Sequence, residues 1–204
     1  MSKTNGFLKV IKEIDGVTIV HPWALEQLWN ICHQVEDLPF PVAECGVYRG
    51  GTLRLIARAL PDRTVYGFDT FTGVPFEMDR SFDEHHKGEF ADTNVERVRA
   101  FLADLPNVRL IEGVFPSTFI HVPPDEKFSL VHLDCDQYDS YVAALDFFLP
   151  RLVEDGYLVI DDYTHCEGTR RAIDERFPGI EKPPYAIHKR IGYETLVKRG
   201  DQDG

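Results

Sequence analysis

Four aspartates follow two apolar, strand-like segments, and their types and spacing point directly to chemistry. They are Asp134, Asp136, Asp161 and Asp162. Segments 128–133 and 156–160 are each long enough for a buried strand, and the stretch 139–152 between them has the apolar spacing of a helix. This pattern predicts a βαβ unit, whose two strands run parallel and, as direct neighbours, end about 5 Å apart. Four carboxylates at one sheet edge repel one another, so we expect a cation, a ligand or a proton among them.

A glycine cluster joins another short apolar segment to a helix. It reads Glu44-Cys-Gly-Val-Tyr-Arg-Gly-Gly-Thr52. Glycine lets a backbone come close to a ligand, and the start of the following helix offers free N–H groups to an anion. The spacing matches neither the dinucleotide fingerprint G-x-G-x-x-G nor a phosphate loop, so pyrophosphate binding is disfavoured. A plain strand-to-helix turn remains an alternative.

Two acids are placed to contact a nucleoside-like ligand beside this turn. Asp69 follows the strand-like segment 64–68 and can accept hydrogen bonds from a ribose diol. Glu44 precedes the glycines and can receive an ammonium group.

Strand-like and helix-like segments alternate through most of the chain and must position these residues. The strands are expected at 41–47, 64–68, 108–111, 128–133 and 156–160, and the helices at 23–35, 52–60, 93–102, 139–152 and 166–177. Helix 93–102 is expected to begin with the capping box Thr93-x-x-Glu96. Segments 185–190 and 193–198 predict a closing antiparallel hairpin. We therefore expect one α/β domain over 1–204, with a mostly parallel sheet, an N-terminal helical cap at 1–40, and a mobile lid loop at 72–92.

Composition limits the classes of partner. With 204 residues and 43% hydrophobic content, the chain can bury one sizeable core. A formal net charge of -12 argues against nucleic acid and membrane surfaces and favours a small-molecule partner. The sequence lacks a membrane-spanning run and a signal core, so a cytoplasmic protein is expected. The cysteines form no CxxC pair and are expected to be core thiols.

Four sequence blocks, in this order, resemble the macrocin O-methyltransferase family of S-adenosylmethionine-dependent enzymes, which methylate sugar and related hydroxyls on natural products. The blocks are 44–52, Phe68-Asp-Thr-Phe-Thr-Gly-Val-Pro75, Leu133-Asp-Cys-Asp-Gln-Tyr-Asp-Ser140 and Gly156-Tyr-Leu-Val-Ile-Asp-Asp-Tyr163. The resemblance implies a Rossmann-like class I methyltransferase fold. Such a fold would have a mostly parallel seven-stranded sheet, helices on both faces and the C-terminal antiparallel hairpin.

The resemblance also implies a set of cofactor-binding residues. The glycine turn would hold the methionine part of S-adenosylmethionine, and Asp69 its ribose. The full expected set is Glu44, Gly46, Tyr48, Gly50, Gly51, Thr52, Asp69, Gly113 and Asp136.

A metal site is implied as well, because the family is similar to catechol-type methyltransferases. Those enzymes hold a divalent ion with one acid after the fourth strand and an acidic pair after the fifth. The matching residues here are Asp134, Asp161 and Asp162, with Asp136 in a supporting position. Hard oxygen ligands suit Mg²⁺ better than zinc. The alternative is that Asp161 and Asp162 only cap the next helix.

The acceptor proton needs a separate destination. Catechol-type enzymes have a lysine base three residues after the first metal acid, where this chain has Gln137. His165 is the most reachable candidate base, and its rival is deprotonation assisted by an ion held at Asp134. His85 and His86 are expected in a lid or a solvated turn rather than a zinc site. The N-terminal region is short for the family, so helices that cover the acceptor or form a homodimer interface are expected to be reduced.

The expected function is a magnesium-dependent O-methyltransferase whose partner is a hydroxylated small molecule, such as a sugar or another diol of a natural product. Two alternatives stay open. One is a non-catalytic nucleoside-binding module, and the other is an N-methyltransferase that works without a metal.

Overall fold

The computed structural model describes residues 3–77, 81–178, 184–190 and 193–198. The helices are α1 Lys3–Ile14, α2 Pro22–Gln34, α3 Gly51–Ala59, α4 Val95–Phe101, α5 Tyr138–Phe148 and α6 Glu167–Arg176. The strands are β1 Val42–Cys45, β2 Val65–Asp69, β3 Val108–Glu112, β4 Phe128–Leu133, β5 Leu152–Ile160, β6 Pro184–Arg190 and β7 Tyr193–Lys198.

The strands lie side by side in the order β3-β2-β1-β4-β5-β6-β7. The parallel part comprises β1 to β5. At its edge, β6 pairs antiparallel with both β5 and β7. The expected α/β class with a parallel sheet is confirmed. Because chain order reverses between β1 and β4, a crevice opens beyond the carboxyl ends of these two strands, where ligands bind in sheets of this kind.

Helices cover both faces of the sheet because the strand side chains alternate between two apolar layers. Val42 of β1 packs in one layer with residues of α1 to α4, and its neighbour Ala43 packs in the other with residues of α5 and α6. Both faces of the parallel strands are thus removed from water, as their near-continuous apolar sequence indicates. All four cysteines are buried free thiols, as expected.

The register of the parallel strands aligns the carboxyl ends of β1, β2, β4 and β5. Cys45 of β1 pairs with Phe68 of β2 and with Leu133 of β4, and Leu133 pairs in turn with Ile160 of β5. Each of these four residues is the last or next-to-last residue of its strand. The segments that follow them therefore emerge along one edge of the sheet.

The cap of α4 differs from the expected capping box. Asn94 is the N-cap residue, and its side chain accepts a hydrogen bond from the Arg97 N–H at 2.9 Å. The Thr93 hydroxyl instead donates to the Tyr48 carbonyl at 3.2 Å. The prediction that Thr93 caps α4 is therefore wrong, because its hydroxyl is hydrogen-bonded to the glycine turn instead.

No helix in the described part of the chain is long and apolar enough to cross a membrane.

Candidate active site at the carboxyl edge of the sheet

A cavity of about 380 Å³ lies at this edge, over the ends of β1, β2, β4 and β5. Of the expected site residues, those that line it are Gly46, Tyr48, Gly51, Thr52, Asp69, Asp134, Asp136, Asp161, Asp162 and His165. Glu44, Gly50 and Gly113 are not among its lining residues. The sequence blocks that were expected to act together therefore meet around one space.

Gly46 allows the glycine turn to pack directly against the backbone of Asp134. Its φ is +89°, and a Cβ at this position would lie 1.6 Å from the carbonyl oxygen of Asp134. No side chain fits there. Gly50 also has a positive φ, of +87°, but a Cβ there would meet Val98 at 3.1 Å on the far side of the turn. The two glycines thus shape the turn in different ways, and only Gly46 faces the cavity.

Asp69 braces the glycine turn from the end of β2. Its Oδ2 accepts hydrogen bonds from the N–H groups of Val47 and Tyr48, both at 2.7 Å. Its Oδ1 accepts one from the Phe71 N–H at 2.6 Å. A carboxylate oxygen accepts about two hydrogen bonds, so Oδ1 keeps room for one further donor. Asp69 can therefore hold the turn and still contact a ribose hydroxyl.

Glu44, which is expected to receive an ammonium group, has a partner within the protein. Its side chain is completely buried, and its Oε1 lies 2.9 Å from Nδ1 of His132. Burial raises the pKa of Glu44. Burial alone would lower the pKa of His132, but the hydrogen bond and charge of Glu44 outweigh it and raise that pKa. One oxygen of Glu44 thus has a partner on the neighbouring strand, whereas Oε2 is buried without a hydrogen-bond partner, and its expected role toward an ammonium group stays a prediction.

Tyr48 ties the glycine turn to the loop before α4. Its hydroxyl donates to Oδ1 of Asp92 at 2.7 Å, and its ring packs edge-on against Phe90 with centroids 5.8 Å apart. Arg49 pairs with the same aspartate. These contacts hold the Tyr48 side chain at the wall of the cavity.

Three aspartates form an acidic cluster at the ends of β4 and β5. Carboxylate oxygens of Asp134, Asp136 and Asp162 lie within 4.8 Å of one another. Burial first, and then the charges of the neighbouring aspartates, raise the pKa of Asp134 well above its usual range. The same causes raise the pKa of Asp162 to about 7. A divalent cation would offset this crowding, and the all-oxygen donor set fits Mg²⁺.

The membership of this cluster differs in one residue from the expected metal set. Asp136 was expected in a supporting position, but its carboxylate stands within the cluster. Its backbone has a φ of +59°, a conformation that a non-glycine residue rarely adopts. Asp161 also lines the cavity, next to Asp162, but its carboxylate is not within the group of three.

His165 lies at the exposed side of the cavity. Its backbone N–H donates to the Asp162 carbonyl at 3.0 Å, in the turn that leads to α6. The expected base therefore lines the same cavity as Asp161 and Asp162.

His85 is a site residue that the sequence did not single out for chemistry. It lies in the loop over the cavity, and its Nε2 is 3.8 Å from Oδ1 of Asp136. Its ring stands 5.1 Å from that of Phe90, centroid to centroid. The sequence alone does not distinguish His85 from the neighbouring His86, which is the same residue type but is largely exposed in the structure.

Gln137, in the place of the catechol-type lysine, fastens the loop instead of facing a substrate. Its side chain is 1% exposed. Its Oε1 accepts from the Phe76 N–H at 3.2 Å, and its Nε2 donates to the carbonyls of Phe76 at 2.9 Å and His85 at 3.2 Å. At the base of the loop, the Val74 N–H donates to the Glu89 carbonyl at 2.9 Å. The described part of segment 72–92 is therefore docked on the site.

Two further parts of the cavity wall were not expected. The segment 17–21 between α1 and α2 lines it, together with Trp23 and Ala24 in the first turn of α2. The start of α3 packs so closely on Thr18 that a Cβ at Gly51 would lie 2.7 Å from the Thr18 Cβ. After β3, the lining residues are Val114 and Phe115 rather than Gly113 itself. Apolar side chains here and the Asp69 carboxylate nearby fit the base and ribose of a nucleoside.

Comparisons with known proteins identify the family of the chain. Residues 15–188 match the macrocin-O-methyltransferase (TylF) family. Demethyldecarbamoylnovobiocin O-methyltransferase from Streptomyces niveus is 31% identical over 171 residues, which are 74% of this chain and 65% of that protein. Mycinamicin III 3''-O-methyltransferase from Micromonospora griseorubida is 32% identical over 186 residues, 79% of this chain and 72% of that protein. The chain spans about two thirds of the length of these relatives.

Solved structures give the same result. The O-methyltransferase NovP superposes with a TM-score of 0.71 and 27% sequence identity, over 90% of this chain and 83% of that one. The calicheamicin methyltransferase CalS11, at 20% identity and a TM-score of 0.68, shares the fold. The family match covers most of the chain and agrees with relatives above 30% identity, so this chain belongs to the macrocin-O-methyltransferase family.

Proposed function

We propose that this protein is an S-adenosylmethionine-dependent O-methyltransferase that needs Mg²⁺ and acts on a hydroxyl of a glycosylated or similarly hydroxylated natural product. The observation that carries the proposal is the continuity of one cavity. Its lining includes the glycine turn and Asp69 together with Asp134 and Asp162, and Gly46 of the turn lies directly against the Asp134 carbonyl. Such a space holds a nucleoside cofactor and an acceptor hydroxyl side by side.

Different residues around this cavity would bind the cofactor and the ion. Asp69 and the N-terminus of α3 would hold the cofactor, while Val114 and Phe115 would enclose its base. Asp134 and Asp162 would hold the ion, with Asp136 or Asp161 completing its protein ligands. The docked loop would cover the acceptor and exclude water.

When bound, S-adenosylmethionine supplies a sulfonium methyl group and Mg²⁺ acidifies a coordinated hydroxyl. The partly buried carboxylates would place their negative charge close to this hydroxyl. His165, at the exposed side, is placed to receive a proton on its way to solvent. Catalysis would rest on positioning and electrostatics.

The proposal extends what the relatives' names state. Those proteins methylate a novobiocin precursor and mycinamicin III, both natural products. The all-oxygen cluster supports the ion, because crowded, partly buried carboxylates with raised pKa values are stabilised by a cation.

A direct test combines binding and turnover. S-adenosylhomocysteine binding is measured by calorimetry, and methyl transfer from labelled S-adenosylmethionine is followed with a panel of glycosylated and phenolic acceptors, with Mg²⁺ and with excess chelator. We expect binding, and turnover only with Mg²⁺. Binding without turnover on any acceptor would favour the nucleoside-binding module. Full turnover in chelator would remove the role of the ion, and transfer to amines alone would favour N-methylation.

A further inference from the structure

A second group of metal-binding side chains stands beside the acidic cluster and has different chemistry. It consists of His85, Asp136 and Cys166, whose donor atoms lie within 4.8 Å of one another. The three come from separate parts of the fold, namely the loop over the cavity, the end of β4 and the start of α6. Together they offer one nitrogen, one oxygen and one sulfur ligand.

The imidazole of His85 lies between two carboxylates. Nε2 of His85 is 3.8 Å from Oδ1 of Asp136, and Nδ1 lies 3.1 Å from Oε1 of Glu89. Nδ1 is nevertheless buried and makes no hydrogen bond, so Glu89 lies near the ring without fixing its orientation. A buried ring nitrogen without a partner calls for an explanation, and a bound ion would provide one.

The cysteine is held by the turn that carries the acidic pair. Cys166 is 3% exposed, and its backbone N–H donates to the Asp162 carbonyl at 2.9 Å. It is the N-cap residue of α6, and burial together with the charges of nearby acids raises the pKa of its thiol, so the thiol keeps its proton until a metal binds. A metal ion that binds here would displace the thiol proton to solvent.

We propose that His85, Asp136 and Cys166 bind a thiophilic divalent cation of the zinc class, at a site that shares Asp136 with the proposed oxygen-only magnesium site but has otherwise different ligands. A nitrogen, sulfur and oxygen set selects Zn²⁺, whereas Mg²⁺ prefers oxygen alone. Three protein ligands leave a fourth tetrahedral position for water. Because His85 lies in the loop and Cys166 in α6, the ion joins the loop to the body of the protein. Asp136 belongs to both groups, so the two cations compete for it.

Cobalt reports on this site, because Co²⁺ replaces Zn²⁺ and gives a charge-transfer band only when a thiolate is bound. Metal-free full-length protein is titrated with Co²⁺ and then with Zn²⁺. We expect a thiolate-to-cobalt band that saturates at one equivalent and is bleached by Zn²⁺. Cys166→Ser should abolish the band, and His85→Asn should weaken Co²⁺ binding by about tenfold or more. Circular dichroism checks that each variant is folded.

Two matched controls separate this site from its surroundings. Cys135→Ser changes another buried thiol at the cavity, and His86→Asn changes the neighbouring loop histidine. Both should keep the band. Zinc-edge X-ray absorption of the unaltered protein should show one sulfur among nitrogen and oxygen ligands, a result that needs no variant.

The proposal is wrong if Co²⁺ binds without a thiolate band, if the band persists in Cys166→Ser, or if the absorption spectrum contains no sulfur. These are binding measurements on the protein without cofactor or acceptor. Their failure would therefore leave the proposed methyltransferase activity untouched, and failure of that activity would leave this site standing.

Discussion

Asp69 shows how one side chain can serve structure and ligand binding together. Three backbone N–H groups donate to its carboxylate, two of them from the glycine turn. A residue that only contacted ribose would affect cofactor affinity alone. Asp69 is expected to affect both affinity and stability.

We therefore predict that Asp69→Ala lowers the free energy of unfolding by about 1–3 kcal/mol and weakens S-adenosylhomocysteine binding, because the turn loses its acceptors. Chemical denaturation and calorimetry measure the two effects. Glu112→Gln is the control, since Glu112 ends the neighbouring strand and is exposed. Unchanged stability in Asp69→Ala would contradict the bracing role.

The acidic cluster leads to a prediction about metal binding. Asp134→Asn and Asp162→Asn should each weaken Mg²⁺ binding by about tenfold or more and cut turnover strongly, because each removes a charged oxygen ligand. Cofactor affinity should stay close to that of the unaltered protein. Calorimetric Mg²⁺ titration and turnover assays measure the effect, with the exposed Asp125→Asn as control. Wild-type Mg²⁺ affinity in both variants would place the ion elsewhere.

The proton gives a prediction at His165. This residue is exposed at the cavity wall, whereas the carboxylates that would hold the ion are partly buried. We expect His165→Ala to keep the shape of the pH–rate profile at saturating cofactor and Mg²⁺, with acceptor affinity as the main change. Loss of the alkaline-rising limb in this variant alone would identify His165 as the base.

Among the elements, the loop over the cavity depends on a residue outside it. Gln137 makes three hydrogen bonds with the backbone of Phe76 and His85. The loop is therefore held by the segment between β4 and α5 more than by its own composition, which is why its docking was not predictable from a stretch rich in glycine and charge.

We predict that Gln137→Ala opens this loop locally without unfolding the sheet. The amide of Phe76 should exchange with solvent about tenfold faster or more, since a lost hydrogen bond costs about 1–3 kcal/mol when its partner stays buried. Amides of β4 should keep their protection. Hydrogen exchange with mass spectrometry measures both, and Thr72→Ala, on the exposed part of the loop, is the control. Equal exchange in the two variants would rule out the anchoring role.

The strands and helices of the parallel sheet were predictable from sequence because each carries its signal locally. The apolar run Phe128–Leu133 and the helix that follows it were placed within one residue at their starts. Contacts distant in sequence were not predictable. Glu44 was expected to meet a ligand because nothing in the sequence indicates that His132, 88 residues away, is its partner. Asp136 lies in the acidic cluster and has a rare backbone conformation with a positive φ, which could not be predicted from the sequence.

For the whole molecule, the crowded carboxylates make the free energy of unfolding depend on pH. Burial and the neighbouring aspartates raise the pKa of Asp162 from an ordinary value of 3.8 to about 7 in the folded protein, so the folded form binds more protons between these values. Stability then falls as pH rises through this window and is lowest above pH 7. Bound Mg²⁺ reverses the trend, because it stabilises the ionised carboxylates.

We predict that, in chelator, the melting temperature falls between pH 5 and pH 8, and that Mg²⁺ raises it most at pH 8. Thermal unfolding across this range, with and without the ion, measures both. Asp162→Asn is the matched variant, because it removes one of the titrating groups and a neighbouring charge, and it should make the dependence weaker. A melting temperature in chelator that rises steadily with pH would contradict this reading of the cluster.

The position of Gly46 also limits which sequences can fold this way. Gly16 and Gly46 both have a positive φ, but a Cβ at Gly16 would meet nothing within 4 Å, whereas at Gly46 it would overlap the Asp134 carbonyl. In a library of all substitutions, position 16 should therefore accept asparagine, which tolerates this backbone region, while position 46 should accept nothing. The glycine at 46 is demanded by strand packing before any ligand enters. Variants selected for a different methyl donor or acceptor should keep it unchanged.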